Sequence, residues 1–208
     1  MTAKQNIELI NQYYDRIVWG MSSYENCFSF FNYDRMVELA PNIEALPITI
    51  DNIEFIKNYK KAWKYLLETD IKNLNSETLY NSVSIMEKGC IDEKHIRKIK
   101  RDVCKPKTFE RELQKALGIT DPAERVAMIF YIINNGFSYG RMTKYPMSLS
   151  VMVANVVLIK SNQGIIFVDE RVAKRLDYYL QAIYECFPNI QAFISEVKWH
   201  IFDEAMIG

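Results

Sequence analysis

The stretch from residue 146 to residue 160 reads PMSLSVMVANVVLIK, and it decides the fold because it is apolar on almost every side. Its 15 residues contain no turn signal, which predicts a helix, although its β-branched residues would also suit a strand. A helix that is apolar all round is usually enclosed by other helices. We therefore predict a mainly α-helical bundle around a central apolar helix at 146–160.

Residue patterns on both sides of this stretch predict more helices. Asp121, Pro122 and Glu124 supply an N-cap, a proline at the first helical position and a capping-box glutamate, so a helix is predicted over 121–135. Apolar periodicity and caps predict other helices over 3–19, 24–39, 51–68, 76–88 and 107–117, after Asp169, and from Pro188 through Ile201. Extended segments are predicted only at 48–50, 96–103 and 164–168, so the sheet content is at most a short β-hairpin.

No glycine- or serine-rich linker, repeat or low-complexity tract divides the 208 residues. We expect one domain over 1–208, made of an N-terminal helical lobe (1–70), a core (71–187) and a C-terminal helix (188–208). The first ten residues hold no apolar run of the kind found in signal peptides, and no stretch reaches 18 apolar residues. A cytoplasmic protein that does not span a membrane is expected.

Charge and composition exclude several function classes. The 26 Lys+Arg balance 26 Asp+Glu, which disfavours a general nucleic-acid or membrane-surface binder. Four cysteines without a CxxC pair and only two histidines, His95 and His200, predict no metal site. The seven glycines form neither GxxxxGK nor GxGxxG, so the common phosphate-binding loops are excluded.

One local run of charge departs from this balance. Between residues 94 and 107 only Asp102 opposes seven basic residues, which are Lys94, Arg97, Lys98, Lys100, Arg101, Lys105 and Lys107. Such a run could bind an acidic protein partner or a phosphate backbone. A solvated face remains the simpler interpretation.

The turn from Asn135 to Pro146 lies between two predicted helices. Pro146 suits the first helical position, so the amides of the first turn and the positive end of the helix dipole face this turn. With Arg141 and Lys144 beside them, these groups are suited to bind an anion. The two glycines in the turn would equally permit a plain reversal between packed helices.

The same turn resembles the motif of the Fic family of protein-AMPylating enzymes, HxFxxGNGRxxR, which lies between two helices. Asn135 aligns with the motif histidine, and only Phe137 and Gly140 agree with the motif. The pair Asp121-Pro122 precedes Asn135 by an interval usual in the family, whereas Asn155 lies about five residues further from the motif than usual. The resemblance implies a Fic-like helical bundle that uses ATP or another nucleotide with Mg²⁺. It places nucleotide contacts at Phe137, Gly140, Arg141, Thr143 and Lys144.

The departures from the motif bear on activity. In the family the histidine takes a proton from the target hydroxyl, and the asparagine at position 135 cannot act as that base. Tyr139 stands where an acidic residue would hold magnesium. Standard AMP transfer is therefore not expected. We predict a degenerate Fic protein that acts by binding a nucleotide or a protein partner.

A second resemblance lies near the N-terminus. Fic proteins with an inhibitory helix carry [S/T]xxxE[G/N], and here Glu25 and Asn26 match while the serine stands one residue too close. The glutamate of that motif pairs with the last motif arginine and keeps ATP from binding productively, so a regulatory role is implied for Glu25 and Asn26. Pro146 replaces that arginine. The resemblance also implies that the 94–107 segment holds a target protein chain.

Two other functions stay open. One is an active nucleotidyl- or phosphoryl-transferase in which Arg141 and Lys144 hold phosphates and another group acts as the base. The other is a helical protein that binds nucleic acid through residues 94–107, which the overall charge disfavours. The sequence leaves catalysis undecided, with binding favoured, and the oligomeric state cannot be read from it.

Overall fold

The computed structural model describes residues 2–26, 50–89, 106–136, 143–185 and 189–202. Within these ranges eight α-helices form: α1 (Ala3–Asn26), α2 (Ile50–Glu68), α3 (Ser76–Met86), α4 (Pro106–Leu117), α5 (Pro122–Gly136), α6 (Pro146–Lys160), α7 (Glu170–Glu185) and α8 (Ile190–Lys198). A turn of 3-10 helix spans Ile71–Asn73, and the strands β1 (Ile165–Ile166) and β2 (Ile201–Phe202) form a small sheet. The prediction of a mainly α-helical fold with little sheet is confirmed.

Helix α6 lies at the centre of the fold, as its apolar sequence predicts. Every residue from Met147 to Ile159 is buried, and the helix packs against α1, α2 and α5. Burying apolar surface contributes roughly 25 cal/mol per Å², so a helix covered on all sides contributes strongly to the core. The start of this helix is consequently surrounded by side chains from several other elements.

The predicted helix starts at Asp121 and Asp169 are confirmed by their capping hydrogen bonds. Asp121 Oδ1 accepts from the Glu124 amide at 2.8 Å, and Asp169 Oδ1 accepts from the Val172 amide at 2.8 Å. The helices predicted over 51–68, 76–88 and 107–117 are also confirmed, with ends that agree within two residues. Local capping and periodicity therefore specify most of these elements.

Helix α1 differs from its prediction, because it continues through Gly20 to Asn26 and does not end at residue 19. A Cβ at Gly20 would lie 2.7 Å from the Cα of Asp169, so the glycine permits close packing of α1 on the start of α7. This packing outweighs the low helix propensity of glycine. Residues 27–39 of the second predicted helix lie outside the described residues.

The end of the chain also differs from its prediction. Helix α8 ends at Lys198, and Ile201 pairs with Ile166 in the antiparallel sheet. The carbonyl of His200 accepts from the Phe167 amide at 3.0 Å, so pairing with the β1 segment replaces another helical turn. Of the other predicted extended segments, Ile50 begins α2, while 48–49 and 96–103 lie outside the described residues.

Among the described helices, none combines the length and the apolar character that crossing a membrane requires.

Candidate anion site at the start of the central helix

The first turn of α6 leaves two backbone amides without a partner inside the helix. Pro146 has no amide hydrogen, and the Leu149 amide donates to the Tyr145 carbonyl at 3.1 Å. Tyr145 supplies no side-chain cap. The amides of Met147 and Ser148 are therefore the two that need an acceptor from elsewhere.

That acceptor is the carboxylate of Glu25, from the last turn of α1. Its Oε1 accepts from the Ser148 amide at 2.9 Å, and the neighbouring Met147 amide also helps to lower the pKa of this carboxyl group. A negative group is stabilised at this end of a helix by the amides and by the dipole. The predicted anion site is thus filled by an anion of the chain itself.

The surroundings of Glu25 oppose its negative charge. Burial has the largest effect and Asp177 of α7 adds repulsion, while the hydrogen bonds from Ser148 and Met147 act in the other direction. The net result is a pKa raised to about 7. Within the described ranges, none of the groups that act on this carboxyl is a cation.

The hydroxyl of Ser148 faces the same carboxyl group. It contributes to lowering the pKa of Glu25, although it makes no hydrogen bond of normal geometry. Ser148 is fully buried, and a buried hydroxyl that lacks a good partner costs free energy. The Ser148 hydroxyl could therefore donate a hydrogen bond to a ligand oxygen that comes closer to it than the Glu25 carboxylate does.

The last turn of α1 is held in place by α7. Ser23 Oγ donates to Glu170 Oε2 at 2.6 Å, and Glu170 also pairs with Lys174 at 2.6 Å. Burial raises the pKa of the Tyr24 phenol, and the nearby carboxylate of Asp177 raises it further. These contacts set the position from which Glu25 reaches α6.

A second carboxylate, that of Glu87, shapes the segment that leads into α6. Glu87 is fully buried just after α3, and its Oε1 accepts from Thr143 Oγ1 and from the Lys144 amide, both at 2.6 Å. The Tyr145 amide donates to Thr143 Oγ1 at 2.9 Å. The hydroxyl of Thr143, a predicted nucleotide contact, is thus engaged inside the protein.

Lys144, the other predicted contact in this segment, is exposed. Its Nζ lies 5.6 Å from the centre of the Tyr145 ring. A cation over an aromatic face is held weakly, by about 0.5–1 kcal/mol at an exposed site. The ammonium group can therefore move toward a negatively charged ligand.

The remaining predicted site residues lie outside the described ranges or at the ends of described helices. Phe137, Gly140 and Arg141 are outside the described residues, as are residues 94–105 of the basic run. Asn135 lies in the last turn of α5, and Asn26 ends α1. Glu196 Oε1 accepts from His200 Nε2 at 2.9 Å and from Arg175 Nε at 2.6 Å.

The sequence did not single out Glu87, Asp177 or Ser148. A glutamate after a helix and an aspartate on an amphipathic helix are common on protein surfaces, and no spacing pattern marks their burial at this site.

The groups at the start of α6 that are able to bond an anion are two amides, the buried Ser148 hydroxyl and the exposed Lys144. Among the described residues, no group of three histidine, cysteine, aspartate or glutamate side chains is arranged to hold a metal ion. Comparison with protein-family models, with curated proteins and with solved structures finds no match to this chain.

Proposed function

We propose that this protein binds a phosphate-bearing ligand, a nucleotide such as ATP, at the start of α6 and does not transfer AMP. The observation that supports this proposal is the carboxylate of Glu25 on the amides of Met147 and Ser148. A carboxylate and a phosphate present similar charged oxygens to such amides. Glu25 is then a built-in competitor of the ligand.

The surroundings of Glu25 weaken its hold on these amides. Burial and Asp177 disfavour the charged form of Glu25, so its carboxylate holds the amides less firmly than an unopposed anion would. A phosphate carries more charge and gains the exposed Lys144 as a partner. It also brings an oxygen to the Ser148 hydroxyl.

The absence of AMP transfer is proposed from position 135. The turn resembles the Fic motif, but asparagine stands where the family has its catalytic histidine, and an amide side chain does not accept a proton at neutral pH. Glu87, the other carboxylate beside the turn, is engaged with Thr143 and Lys144. Binding without transfer is the function that these residues support best.

Calorimetric titration with ATP, with and without Mg²⁺, tests the proposal. Glu25→Ala removes the competing carboxylate, so at pH 8, where most of the wild type has ionised Glu25, we expect the variant to bind ATP about tenfold more tightly than the wild type. Glu8→Ala is the matched control, because Glu8 is an exposed glutamate on the same helix. If Glu25→Ala shows no binding at millimolar ATP, the proposal is wrong.

Intact-mass measurement after incubation with ATP, GTP, UTP or CDP-choline tests the proposal that the protein transfers no AMP. We expect an unchanged protein mass in every case. An added nucleotidyl or phosphoryl group that depends on Lys144 would instead establish the transferase alternative.

A further inference from the structure

Several titratable groups surround the carboxyl group of Glu25. Its carboxyl group lies among α1, α2, α6 and α7, and the titratable groups that act with it are Asp177 of α7, Tyr24 of α1 and Tyr59 of α2. Tyr59 is fully buried and donates to the Ser148 carbonyl at 3.2 Å. Within the described ranges, the group therefore consists of two carboxyls and two phenols without a cation among them.

Such a cluster cannot easily accept more negative charge. A phosphate that enters beside the ionised Glu25 would meet like charge in a partly buried place, where repulsion is weakly screened. Asp177 already acts on Glu25 as a nearby negative charge, so it adds to the repulsion that a phosphate would meet. The simplest way to lower the charge is to protonate Glu25.

Resting on the function proposed above, we propose that the site at the start of α6 takes up its phosphate ligand together with a proton, which neutralises Glu25 and releases the Met147 and Ser148 amides. The proton comes from solvent and remains on the Glu25 carboxyl while the ligand is bound. The buried Ser148 hydroxyl, which lacks a hydrogen bond of normal geometry, is a second group that the incoming phosphate would satisfy.

The pKa of about 7 supports this coupling, because it places the change of charge in the neutral range. The fraction of protein with neutral Glu25 falls from about nine-tenths at pH 6 to about one-tenth at pH 8, and the apparent affinity follows the competent fraction. We therefore expect ATP to bind about tenfold more tightly at pH 6 than at pH 8.

Calorimetric titration of ATP from pH 5.5 to pH 8.5 tests the proposal, with Glu25→Gln as the baseline. The side-chain amide of the variant keeps an acceptor oxygen but does not titrate. Any pH dependence of the affinity of the variant therefore arises from the ionisation of ATP. The ratio of wild-type to variant affinity should change about tenfold between pH 6 and pH 8, and about thirtyfold over the whole range. Titration at pH 7 in buffers of different ionisation enthalpy should also reveal proton uptake by the wild type in excess of that by the variant.

A second variant, Asp177→Asn, tests the coupling between ligand binding and protonation of Glu25 independently. It keeps an acceptor for Tyr24 and removes a negative charge that raises the pKa of Glu25, so the midpoint of the pH dependence should move to lower pH. If wild type and Glu25→Gln bind ATP with a constant affinity ratio, the coupling is wrong while the binding function stands. If neither binds at any pH, the proposed function itself is wrong.

Discussion

Glu25 and Ser148 stand 123 residues apart in the chain, yet the Ser148 amide donates to Glu25 Oε1 at 2.9 Å. The contact ties the end of α1 to the start of the central helix. It also places a carboxyl group with a raised pKa in a site of the kind that binds anions. This contact therefore links the pH dependence of stability to the proposed binding function.

The stability of the protein should change with pH through Glu25. Its pKa is about 7 in the folded protein and 4.5 as the ordinary value, so the folded state holds the proton more tightly than the unfolded state. The stability that protonated Glu25 contributes is fully present below about pH 4.5 and is lost as the pH rises through about 7.

Glu25→Gln removes this titration. Between pH 5 and pH 8, the free energy of unfolding of the variant relative to the wild type should rise by roughly 1–3 kcal/mol. Urea denaturation at several pH values measures it, and Glu8→Gln on the exposed side of α1 is the control. Parallel curves for wild type and Glu25→Gln would show that Glu25 titrates in its ordinary range.

Gly20→Ala should destabilise the protein although alanine is the better helix former. The new Cβ would lie 2.7 Å from Asp169 Cα and 3.0 Å from the Glu170 nitrogen, and both are backbone atoms that cannot rotate away. We expect a loss of about 1–3 kcal/mol, as for other overpacked sites.

Gly118→Ala is the control for this substitution, since its Cβ would come no closer than 3.4 Å to its neighbours. Chemical denaturation compares the two variants. Equal stability of both would mean that α1 moves away from α7 at little cost.

The fold could be predicted largely because its main signals are local. The apolar stretch of α6 and the caps at Asp121 and Asp169 act within a few residues, and the structure confirms all three. The continuation of α1 through Gly20 and the pairing of Ile201 with Ile166 depend on distant neighbours. Periodicity along the chain does not contain that information, so both predictions were wrong.

The start of α6 could be predicted from the sequence, whereas the groups packed around it could not. Pro146 marks the start of a helix whose amides need an acceptor, which the sequence alone indicates. The motif resemblance also drew attention to Glu25. The roles of Asp177 and Glu87 arise only when α7 and the end of α3 pack around the start of α6. Aspartate and glutamate are common on protein surfaces, and their charges affect neighbouring groups strongly only when packing removes them from water.

Thr143→Val should destabilise the segment that leads into α6. The substitution keeps the shape of the side chain and removes the hydroxyl that donates to Glu87 and accepts from the Tyr145 amide. Loss of a hydrogen bond to a buried carboxylate costs about 1–3 kcal/mol. Thr120→Val, at an exposed position, should change stability by less than about 0.5 kcal/mol in the same denaturation experiment.

If Thr143→Val leaves stability unchanged, Glu87 does not hold this segment in solution. The same substitution can also be made in the Glu25→Ala variant. If it lowers stability there without changing ATP affinity, Thr143 supports the fold and does not contact the ligand.

Lys144→Gln should separate ligand binding from stability. The side chain is exposed and its Nζ rests 5.6 Å from the centre of the Tyr145 ring, so its removal should change the free energy of unfolding by less than about 0.5 kcal/mol. A lysine that pairs with a phosphate contributes a charge-assisted hydrogen bond of about 1.5–3 kcal/mol. In the Glu25→Ala background, where the competing carboxylate is absent, ATP affinity should therefore fall by roughly tenfold or more. Lys72→Gln, which removes an exposed lysine from the 3-10 turn, is the matched control and should leave affinity unchanged. Equal losses from the two lysines would mean that the overall charge of the protein attracts ATP, and that the start of α6 is not where its phosphates bind.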